Sequence, residues 1–60
     1  MKKYMVVMMF EGEQSAFFTD DLNKAENARQ NTECGMGGLA EVYERVSNAE
    51  EGNSYQLLYS

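Results

Sequence analysis

The sequence predicts an α+β fold: a small single domain of ββαββ order, with a four-stranded, mainly antiparallel sheet and one helix across one face. Three observations predict it. A run of β-branched, aromatic and methionine residues opens the chain, small residues at helical spacing occupy its middle, and aromatic and aliphatic segments flanked by turn formers close it.

Residues 3–10 hold no turn former and read as a strand that is apolar on both faces. Tyr4, Val6, Met8 and Phe10 point one way and Met5, Val7 and Met9 the other, because side chains alternate across a strand. Glu11-Gly12-Glu13-Gln14 supplies a turn, and Ser15, Ala16, Phe17, Phe18 and Thr19 return as the second arm of a hairpin. Thr19, Asp20 and Asp21 suit a helix N-terminus, where a side-chain oxygen accepts from an orphan N–H and a carboxylate meets the positive end of the dipole. The helix that follows carries Leu22, Ala25, Ala28 and Thr32 on one stripe, and Gly35 is expected to stop it. A stripe of such small residues lets a helix lie close to a sheet.

Residues 39–46 fit two patterns. Leu39, Val42, Tyr43 and Val46 have helical spacing, yet Val42, Tyr43 and Val46 are good strand formers. Gly37-Gly38 before the segment and the loop-like stretch from Asn48 to Asn53 after it favour a strand. Ser54-Tyr55-Gln56-Leu57-Leu58-Tyr59 is the last strand, entered through Glu50-Glu51-Gly52-Asn53. If this strand lies centrally, Tyr55, Leu57 and Tyr59 share one face and Gln56 and Leu58 the other. The whole span 1–60 is one domain. Its element order resembles the ββαββ arrangement of the immunoglobulin-binding domains of streptococcal protein G, in outline and without a shared motif, so the resemblance implies a fold and no function.

The composition removes most catalytic equipment. The 60 residues contain no His, Trp or Pro and one Cys. Without His or a second Cys there is no zinc site and no disulfide. Cys34 has no His in the chain to serve as the base of a nucleophilic thiol. The glycines around it lack the Gly-Lys-Ser/Thr end of a phosphate loop. Asp20-Asp21 is explained by helix capping. The sequence therefore predicts no enzyme and no cofactor.

Ten carboxylates against five basic residues give a net charge of −5. Lys24, Arg29 and Arg45 are scattered among acids, which disfavours direct contact with a nucleic-acid backbone. The acidity suits a basic partner, including a nucleic-acid-binding protein. Met1-Lys2-Lys3 and the apolar run after it have the outline of a signal peptide. The run is short and meets Glu11-Gly12-Glu13 instead of a small-residue cleavage site, so a cytoplasmic location is expected. No segment approaches the ~20 apolar residues of a membrane span.

These expectations converge on a small acidic, non-catalytic protein-binding module, an inhibitor or adaptor acting on a larger intracellular protein. Small acidic inhibitors encoded by bacteriophages are similar in size and charge. One helix covers one face of a four-stranded sheet, so a first strand apolar on both sides leaves an apolar row for a partner. The residues expected at that contact are Met5, Val7 and Met9, the tyrosines Tyr43, Tyr55 and Tyr59, and the acidic stretch Glu41, Glu44, Glu50 and Glu51, which together with Glu11 and Glu13 of the first loop would imitate a row of phosphates. The alternative is a homodimeric structural or complex subunit that buries the same face. A domain this short exposes much of its surface and gains stability from a partner.

Overall fold

The computed structural model describes residues 2–48 and 52–60, with the backbone alone described at Met36, Asn48 and Asn53. The elements run β1 (Tyr4–Phe10), β2 (Glu13–Thr19), α1 (Leu22–Gln30) with a π-helical extension (Asn31–Met36), β3 (Leu39–Asn48) and β4 (Gly52–Tyr59). They form the expected ββαββ α+β domain. The four strands make one antiparallel sheet in the order β2-β1-β3-β4.

The first hairpin is tighter than the sequence suggests. Phe10 pairs with Glu13, so the loop is Glu11-Gly12 alone, and both residues adopt positive φ, 53° and 81°. That is the geometry of a type I′ turn, whose twist matches the flanking strands and lets β2 begin two residues earlier than Ser15. β1 then pairs on its other side with β3, from Tyr4 opposite Glu44 to Met9 opposite Leu39, and Arg45 donates its N–H to the Lys3 carbonyl at 2.7 Å. The ambiguous segment 39–46 is thus strand, and β1 is a central strand, as its two apolar faces imply.

α1 starts where capping chemistry places it. Asp21 has an extended backbone and its carboxylate accepts from the Asn23 N–H at 2.9 Å, while the Thr19 hydroxyl accepts from the Asp21 N–H at 3.1 Å. Asp20 turns away from the helix, accepts from the Lys3 N–H at 2.8 Å and pairs with Lys2 at 3.4 Å. The expected stop at Gly35 is not where the helix ends. The coil widens from Asn31 and continues to Met36, and Gly37, at φ 78°, ends it. Gly35 needs no left-handed conformation, whereas Gly37 and Gly38 both return an N–H to the Thr32 carbonyl.

The helix covers one face only. Beneath it lie Tyr4 and Val6 of β1 and Ala40 and Val42 of β3, packed against Ala25, with Met8, Ala28 and Tyr59 at the margin. Val6 and Val42, directly opposite each other, are fully buried. The stripe residue Leu22 is exposed, so the helix contributes little beyond alanines and Thr32, whose hydroxyl donates to the Ala28 carbonyl at 2.9 Å. The shortest principal extent of the molecule is 16 Å, which accommodates one sheet and one helix layer.

Candidate binding surface

Residues paired directly across a ladder share a face, so the register assigns the open side of the sheet strand by strand. On β1 it carries Met5, Val7 and Met9, opposite Phe18, Ala16 and Gln14 of β2 and Tyr43, Glu41 and Leu39 of β3. On β4, Leu57 faces Tyr43 and Tyr55 faces Arg45. Large apolar side chains stand exposed across all four strands: Leu39 at 69%, Leu57 at 50%, Phe18 at 48% and Met9 at 46% of their full surface. The Phe18 and Tyr55 rings come from opposite edges yet meet with centroids 6.0 Å apart, and the Tyr55 hydroxyl donates to the Lys2 carbonyl at 2.7 Å. The open face therefore has an ordered aromatic end.

At the other end Val7, Met9, Leu39 and Glu41 line a depression of about 320 Å³ that runs to Glu33 and Ser60 at the sheet margin. Tyr43 donates to Glu41 at 3.1 Å, and that hydrogen bond, with desolvation, holds the Tyr43 phenol above its ordinary pKa.

Five of the expected contact residues therefore come together on this face with Glu41: Met5, Val7, Met9, Tyr43 and Tyr55. Two lie elsewhere. Glu44 pairs with Tyr4 and Gln56 on the helix side. Tyr59 also faces the helix, because the β3–β4 register shifts between Val42 and Tyr43 and Leu58 is an extra residue on β4. This bulge breaks the parity that would have aligned Tyr59 with Tyr55 and Leu57. Glu50 and Glu51 lie outside the described residues. Phe18, Leu39 and Leu57 were not among the expected contacts, although Leu39 and Leu57 stand in the alternating rows of Tyr43 and Tyr55.

Tyr59 joins a polar cluster that ties α1 to the edge strand. Its hydroxyl donates to Glu26, and the Arg29 guanidinium sits 5.6 Å from its ring centroid. Arg29 reaches both oxygens of Glu26, at 2.5 and 3.1 Å, and Glu33 at 2.7 Å. Gln30 donates to Glu26 at 3.2 Å, and the second oxygen of Glu33 accepts the Ala40 N–H at 3.2 Å. The Arg29 and Tyr59 hydrogen bonds hold the Glu26 carboxyl down at about 2, while desolvation, then Glu26, push the Tyr59 phenol up. These groups satisfy one another and hold the helix in place.

A pH dependence follows. Glu26 is lowered from 4.5 to about 2 in the folded chain, so it adds stability above its unfolded pKa and loses that contribution as pH falls from about 4.5 to about 2. Glu26→Gln is expected to lower stability at neutral pH and to flatten the acid limb of Tm against pH. An acid limb as steep as that of the parent chain would remove Glu26 from this role. Asp20, lowered mainly by the Lys3 N–H, adds a dependence of the same sign that the substitution leaves in place.

Cys34 is exposed within the π-helical extension. Among the described residues no three metal-ligating side chains converge, and no helix is long and apolar enough to cross a membrane. Comparison with protein-family models, with curated proteins and with solved structures finds no match for the chain.

Proposed function

We propose that the chain is a non-catalytic protein-binding module, an inhibitor or adaptor, that docks on a larger protein through the open face of its sheet. The observation that carries this reading is the apolar side chains exposed across all four strands, from Phe18 on one edge to Leu57 on the other. Antiparallel sheets with a solvated face normally alternate apolar with polar residues, and this one does not along β1. Apolar patches spanning a face mark interaction sites, and Tyr and Met supply large, adaptable contact area at low entropic cost. The net charge of −5 favours a partner with a basic surround, by steering and by complementarity at the rim.

The test is capture from cell lysate followed by titration of the retained protein. Leu39→Lys with Leu57→Lys removes two of the most exposed apolar side chains without touching the core. The pair is expected to weaken binding by at least about 30-fold, the scale of one central hot spot, with circular dichroism unchanged. Equal affinity of parent and variant would place the contact elsewhere.

A further inference from the structure

The two edge strands of this sheet differ in regularity. β4 carries the bulge at Leu58, and beyond its end the Ala40 N–H of β3 is taken by Glu33. β2, the opposite edge, runs regularly for seven residues without bulge, proline or lysine, and all but Thr19 are exposed. Unprotected edges of this kind invite another strand. In the tight hairpin, Phe10 and Glu13 form a hydrogen-bonded pair and alternate pairs follow. The peptide groups of Glu13, Ser15, Phe17 and Thr19 thus turn toward β1, and those of Gln14, Ala16 and Phe18 turn outward.

We propose that β2 pairs with β2 of a second copy of this chain, antiparallel about a two-fold axis at Ala16, joining the two sheets into one of eight strands. Only this register opposes outward groups to outward groups along the whole strand: Ala16 to Ala16, Gln14 to Phe18 and Phe18 to Gln14. It sets no like charges directly opposite one another. It also supplies charge complementarity. Glu13 of one copy falls opposite Thr19 of the other, and Lys24 lies on the helix side beside Phe17 and Thr19. Glu13 shares that side through its pairing with Phe10. Neither Glu13 nor Lys24 makes an ion pair among the described residues, so the two-fold axis brings two Glu13–Lys24 pairs together. The edge is separate from the open face, which stays available on both copies.

Sedimentation velocity over a dilution series is expected to show a reversible two-chain species. Glu13→Lys and Lys24→Glu are each expected to weaken it about tenfold, because two opposite-charge pairs become like-charge pairs, and their combination restores it. Ala16→Pro removes an outward N–H without removing a β1 hydrogen bond, so it yields a single chain with the circular dichroism of the parent. Leu39→Lys with Leu57→Lys leaves the two-chain species intact. A single-chain parent throughout the series would overturn the pairing. So would a two-chain species lost with the leucine pair but kept in both charge variants, which would instead place self-association on the open face. If Ala16→Pro fails to fold, the charge exchange decides: no rescue in the double variant overturns the register. Loss of lysate capture with an intact two-chain species would affect the docking reading alone.

Discussion

Gly38→Ala is expected to lower Tm by more than ~10 °C, since Gly38 is the one glycine where an added Cβ meets neighbouring atoms. A Cβ at Gly38 would stand 2.3 Å from the backbone oxygen of Met9 and 3.2 Å from the Thr32 methyl carbon. Neither can retreat easily. Met9 is held in the last pair of the β1–β3 ladder, and the Thr32 side chain is buried and bonded to its own helix. The chain leaves the helix at Gly37 and must cross the end of β1 immediately to begin β3 at Leu39. Only a residue without a side chain makes that approach. Relief requires β3 to shift, at a cost near the upper end of the about 1–3 kcal/mol typical of overpacked cores. That is a large share of the stability expected for a domain this small. Thermal denaturation checks it, and a variant that melts with the parent would show that β3 does not pass so close to β1.

Val42→Ala is the second. Val42 is fully buried opposite Val6, beneath Ala25, in a core whose buried members otherwise include two alanines and one tyrosine. Losing two methyls there removes about 1.5 kcal/mol of transfer free energy and adds a cavity that a rigid sheet fills poorly, so a loss of about 2–3 kcal/mol is expected. Urea denaturation checks it through the midpoint at constant slope. A loss below about 1 kcal/mol would mean that the helix settles into the space.

Much of this fold is legible in residue order because local chemistry and tertiary role coincide. Tyr4–Phe10 is apolar in both alternating rows, and it is the strand flanked on both sides. Asp21 caps α1 with its own side chain, a decision made within three residues. The segment 39–46 carries both periodicities, and what makes it a strand is Val6 across the sheet from Val42, a partner 36 positions away that no local window contains. The helix end shifts from Gly35 to Gly37 because the φ that needs glycine is set by where β3 must enter.

The candidate surface divides in the same way. Alternation along β1 places Met5, Val7 and Met9 together, and alternation along β3 adds Tyr43 and Glu41. Alternation fails at Tyr59, since one extra residue in a ladder reverses the facing of everything beyond it and leaves no mark in composition. The ion pairs of Arg29 with Glu26 and Glu33 stand at helical spacing and are visible in the sequence. Their tie to Tyr59 is not, because it depends on that bulge.

The methionines carry probes on both faces. If the open sheet face is the contact surface, methyl NMR of the chain with its captured partner reads this directly. Met5 and Met9 lie on the open face, and Met8 lies against the helix-side core. Partner binding is then expected to shift or broaden the Met5 and Met9 methyl signals and to leave Met8 in place. Unmoved Met5 and Met9 signals in a saturated complex would contradict it.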